Sequence, residues 1–80
     1  MTKLEQKLIE LGYKALSDYN GEISFIKFPT IYTNITITTK NGKYLRSDYG
    51  PVARMMPKYS SNMQQTLYIL QKDLEVLKNE

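Results

Sequence analysis

The sequence has no cysteine and no histidine. Those absences remove the usual zinc and transition-metal ligand sets, thiol nucleophiles and histidine-based triads. Disulfides are excluded too, which fits a reducing compartment. No apolar run approaches the length of a membrane-spanning helix, and the charged opening Met1-Thr2-Lys3-Leu4-Glu5 is unlike a signal peptide, so the expected location is the cytoplasm. Neither a phosphate-cradling G-x-x-x-x-G-K-[ST] nor a dinucleotide-type G-x-G-x-x-G occurs, and the acidic residues are scattered singly. The expectation is a protein that is not an enzyme, with no catalytic residue, no metal and no cofactor. Eighty residues make one domain, spanning 1–80, close to the size at which a single core just suffices.

What is present is a run of β-branched residues. Residues 31–39 are almost entirely Ile and Thr, followed by Lys40-Asn41-Gly42-Lys43, and Asn-Gly is a strong hairpin signal. A two-residue loop would set Ile37 opposite Arg46 and mix polar with apolar on each face. A three-residue loop sets Ile37 opposite Leu45 and Thr38 opposite Tyr44, which segregates the faces and is the expected register. One face then carries Ile31, Thr33, Ile35, Ile37 and Leu45. The other carries Tyr32, Asn34, Thr36, Thr38, Tyr44 and Arg46.

Around this hairpin, Thr2-Lys3-Leu4-Glu5 has the capping-box pattern, Leu4, Leu8 and Leu11 follow at helical spacing, and Gly12 suits the position past the end. A first helix is predicted over residues 3–11. Residues 13–16 read either as extended chain or as a loose helical turn, and Asp18-Tyr19-Asn20-Gly21 as a turn. Residues 23–28 read as the first strand, which Pro29 ends or marks as an edge. Met55-Met56 reads as a filler of a core gap or, if exposed, as an adaptable contact surface, with the core reading favoured. Ser61-Asn62-Met63-Gln64 opens a final helix whose seam is Met63, Leu67, Leu70, Leu74 and Leu77. Beside the seam, Ile69 and Val76 form a second ridge, the candidate face of a homodimer. The predicted fold is α+β in the order α-β-β-β-α, a three-stranded antiparallel sheet packed against two helices.

Net charge is +3, and all of the excess lies between residues 40 and 59, where Lys40, Lys43, Arg46, Arg54 and Lys58 face only Asp48. Tyrosines interleave with these cations. The candidate partner-binding set is Lys43, Tyr44, Arg46, Tyr49, Arg54, Lys58 and Tyr59. Such a cluster suits phosphate contact and base stacking, an acidic protein surface, or plain solvent with lysines guarding a sheet edge. The modest size of the patch favours a protein partner.

Residues 1–13 and 70–78 resemble small uncharacterised proteins of phages and prophages in low-GC Gram-positive bacteria, while the middle of the chain carries no such pattern. That resemblance implies a small accessory protein in a host cytoplasm that binds a host or defence protein, such as a ribonucleoprotein effector, in the manner of an anti-CRISPR-type inhibitor. Many such inhibitors mimic DNA with acidic surfaces, whereas the patch here is basic. The element order also resembles the double-stranded-RNA-binding domain, which implies nucleic-acid binding as the alternative function. That family places a lysine cluster at the start of its last helix, where this chain has Lys58 alone. HicA-type toxins share the order, but their catalytic histidine has no counterpart here.

Overall fold

The computed structural model describes residues 1–52 and 61–78. The protein is α+β, with helix α1 (Lys3–Glu10), strands β1 (Lys14–Tyr19), β2 (Glu22–Thr30), β3 (Thr33–Lys40) and β4 (Lys43–Pro51), and helix α2 (Ser61–Lys78). The strands form one antiparallel meander in the order β1-β2-β3-β4. Four strands, not the expected three, therefore carry the two helices.

Local chemistry explains how α1 starts and stops. The Thr2 hydroxyl accepts from the Glu5 backbone N–H at 3.2 Å, and the Glu5 carboxylate accepts from the Thr2 N–H at 2.9 Å. That second bond, followed by the Thr2 side chain, holds the Glu5 pKa below its usual value. At the other end Gly12 adopts φ +99, so its N–H reaches the Ile9 carbonyl and the Tyr13 N–H reaches the Leu8 carbonyl, both at 3.0 Å. This reciprocal pair of bonds is the Schellman arrangement, and its apolar contact joins Leu8 to Tyr13, both buried. The helix stop thus aims Tyr13 into the core and launches the next residues as β1. Every residue of β1 is exposed, so no alternation marked it in the sequence; it exists because it pairs with β2.

Two of the three hairpins turn on Asn-Gly. Asn20 and Gly21 have φ 55 and 81, Asn41 and Gly42 have φ 52 and 82, the left-handed pair that a type I′ turn requires. Lys40 therefore pairs with Lys43 and Thr39 with Tyr44, correcting the expected three-residue loop. The register is then shifted by Leu45, which has no opposite residue, so Thr38 meets Arg46 and Ile37 meets Ser47. A bulge accomplishes the segregation of faces that the longer loop was expected to provide. Leu45 is exposed, not buried. Ile31 is likewise 82% exposed, because Ile31 and Tyr32 form the β2–β3 turn and do not belong to β3.

Both helices lie on one side of the sheet. Thr33, Ile35, Ile37 and Thr39 of β3 and Phe25 of β2 face them and are buried, with Leu8, Tyr13, Leu70 and Leu77 completing the core. On α2 the innermost line is Thr66, Leu70, Asp73 and Leu77, rotated from the leucine seam that periodicity suggested. Two polar residues sit in that line because the sheet supplies their partners. Thr66 donates to the Asn62 carbonyl at 2.7 Å and is hydrogen-bonded to Thr33, which in turn bonds Thr30. Asp73 accepts from the Tyr13 hydroxyl at 2.8 Å and from Lys27 Nζ at 2.9 Å. Among the described residues no buried side-chain nitrogen or oxygen lacks a partner.

Candidate interaction surfaces

The β4 bulge decides where the basic-aromatic arm points. Tyr44 shares a face with Thr39 and turns toward α2, while Arg46, one bulge later, shares a face with Thr38 and turns to the uncovered side. Tyr49 sits opposite Ile35 and packs half-buried against the core. Lys43 pairs with Lys40 at the tip of the hairpin, and both are exposed. The expected outward set is therefore divided: Lys43 and Arg46 lie on the open face, and Tyr44 and Tyr49 on the helix side. Arg54, Lys58 and Tyr59, together with Met55 and Met56, lie outside the described residues. On α2, Ile69 is half-buried against the core, and Val76 is 38% exposed.

Two concave surfaces result. On the helix side Tyr44, Leu74, Leu77 and Lys78 line an apolar groove of about 290 Å³. The Tyr44 ring is held there by its hydroxyl, which donates to Ser47 Oγ at 2.9 Å. On the open side Ser24, Thr36, Thr38, Arg46, Ser47 and Asp48 line a polar cup of about 350 Å³. Arg46 also reaches Glu22 at 3.5 Å across the face, an exposed pair that holds the guanidinium only loosely.

Among the described residues, titratable side chains converge where buried Tyr13 and Asp73 meet the partly buried Lys27. Burial foremost, and then the hydrogen bond to Asp73 and its charge, push the Tyr13 hydroxyl far above its ordinary pKa. Lys27 Nζ also stands 5.1 Å from the Tyr13 ring centre, a cation–π distance. Both donors reach the same carboxylate oxygen, Oδ2, from separate parts of the chain, so the group works as a tie between α2, β2 and the chain leaving α1. Sequence reading missed it, since its members are 46 and 60 residues apart.

Among the described residues no three His, Cys, Asp or Glu side chains gather as metal ligands, and no helix is long and apolar enough to cross a membrane. The fourth strand parts from the α-β-β-β-α order of the double-stranded-RNA-binding domain. Comparison of the chain with protein-family models, curated proteins and solved structures finds no match.

Proposed function

We propose that this chain is a non-catalytic, phage-type accessory protein that acts by stoichiometric contact with a protein of its host cell or of that cell's defences, in the cytoplasm. The carrying observation is the β4 flank, where the bulge at Leu45 leaves Tyr44 over the apolar groove beside Leu74 and Leu77 with Lys78 at its rim. A tyrosine beside an apolar recess edged by a cation is the make-up of an interface hot spot. It suits a partner offering one apolar side chain flanked by carboxylates, with exposed Lys43 available to a second carboxylate. The resemblance of the terminal segments to phage and prophage proteins supports the setting.

Affinity capture from host extract tests this reading, with Tyr44→Ala/Lys78→Glu as the control variant. Both positions are exposed, so the variant should keep the wild-type melting curve. A partner held at near one-to-one stoichiometry and lost from the variant is expected. Equal capture by the variant would move the site elsewhere, and the lack of any stoichiometric protein partner would overturn the reading.

Nucleic-acid binding is the second reading, favoured by Lys40, Lys43 and Arg46 standing exposed on one hairpin. Glu22 and Asp48 on the same face work against a dense line of phosphates. Fluorescence anisotropy with single-stranded RNA, double-stranded RNA and duplex DNA at two salt concentrations separates the two, since phosphate contacts weaken steeply with salt.

A further inference from the structure

Among the described residues no helix covers the open face of the sheet, and its side chains are arranged in cross-strand rows. The row nearest the two Asn-Gly turns reads Tyr19, Glu22, Lys40, Lys43 from β1 to β4. Four residues further along β2 and β3, the row reads Lys14, Ile26, Thr36, Asp48. Between them Ser24, Thr38 and Arg46 align, with the β1 bulge residues Leu16 and Ser17 opposite Ser24. Each outer row is its own complement when reversed, since the base at one place answers the acid or ring at the mirrored place.

We propose that this face pairs with the same face of a second copy, across a two-fold axis lying between the sheets and parallel to the strands. That rotation lays β1 over the second copy's β4 and β2 over its β3. Lys14 then meets Asp48 of the second copy, Glu22 meets Lys40, and Tyr19 meets Lys43, each contact occurring twice. Shape agrees with charge. Leu16, 60% exposed on the β1 bulge, stands over the cup that Arg46, Thr38 and their neighbours form in the second copy. Sheets packed in this way cross at about 30°, which displaces the outer positions by a few ångströms, within reach of lysine side chains.

The size of the face sets the strength. Four strands about 4.8 Å apart and about eight residues long present roughly 500 Å² per copy. Two such faces bury about 1,000 Å², the lower limit of a specific interface, so the dimer is weak and concentration-dependent. The Ile69/Val76 ridge of α2 takes no part in it. The β4 groove lies on the opposite side of the sheet and takes no part in the pairing.

Sedimentation equilibrium of the full chain over a wide concentration range tests it. The wild type should follow a monomer–dimer equilibrium that weakens with salt. Lys14→Asp sets two carboxylates against each other and should raise the dissociation constant roughly tenfold or more; Asp48→Lys should do the same. The double variant Lys14→Asp/Asp48→Lys should return to near wild-type association. Within one chain those residues sit on the two outermost strands, about 14 Å apart, so such a rescue arises only between copies. Tyr19→Lys should weaken the dimer by placing cation on cation, and Val76→Asp should leave it unchanged. A wild type that stays monomeric throughout, a swap that fails to rescue, or a loss of association in Val76→Asp would each overturn the proposal.

Discussion

The two sides of this sheet are built from the same strands and obey different rules. Toward the helices, β3 presents Thr33, Ile35, Ile37 and Thr39, all at 0% exposure, and each polar group there is matched to a partner. Toward the open side, the same strand presents Asn34, Thr36, Thr38 and Lys40, and the ion pair reaching across them, Arg46 to Glu22, is loose and wet. The helix side supplies the core, while the open side carries exposed charged side chains, the ones that the proposed pairing with a second copy would use. In an 80-residue protein the core is small, and large apolar residues such as Leu16, Tyr19, Phe28 and Leu45 stay exposed outside it.

Substitutions should expose the contrast, and the largest effects belong to the helix side. Phe25→Ala should destabilise by about 3–5 kcal/mol in urea unfolding, since the side chain is buried among both helices. Asp73→Ala should fall in a similar range, about 3–5 kcal/mol, because it strands the Lys27 ammonium and the Tyr13 hydroxyl. A loss under about 1 kcal/mol would show that water satisfies them and that the tie is not structural.

Gly42→Ala should cost about 1–3 kcal/mol, as φ +82 disfavours a side chain and the new methyl would meet the Thr2 side chain. The loss should shrink in a Thr2→Gly background, which removes that contact and leaves only the backbone term.

Tyr13→Phe should cost about 1 kcal/mol at neutral pH by removing one hydrogen bond while Lys27 still holds Asp73. It should also alter the alkaline limb of stability. The folded protein keeps the Tyr13 proton to a higher pH than the unfolded chain does. Its contribution is therefore complete below about pH 10, where a free tyrosine titrates, and is lost as pH rises toward the folded value. Melting curves across that window should fall less steeply for Tyr13→Phe than for the wild type. Smallest of all, Thr36→Val on the open face should change stability by no more than about 0.5 kcal/mol. A larger change in the dilute monomer would mean that Thr36 packs within its own chain.

Much of this fold was legible in residue order. The α1 capping box, Gly12 beyond its end, the inward Ile35 and Ile37 and the Asn41-Gly42 turn all follow from local chemistry. The rest depended on partners far along the chain. β1 carries no periodic signal, since it is an exposed edge defined by pairing with β2. The bulge at Leu45 resolved the conflict between a two-residue turn and the alternation of faces, and pattern alone favoured a longer loop. Asp73 lies beside the leucine seam of α2 in its buried line, and no α2 residue signals the Tyr13 and Lys27 that make its burial tolerable. The basic-aromatic arm was visible as composition, but that same bulge divided it between two surfaces.

Whether the open face associates with a second copy while the helix side serves the core is tested most simply by amide NMR spectra of the wild type at two well-separated protein concentrations. Concentration-dependent shifts are expected at Lys14, Leu16, Tyr19, Glu22, Thr36 and Asp48, with Tyr68 and Val76 on the outer face of α2 unmoved. Spectra that do not change, or changes centred on α2, would overturn the pairing of open faces.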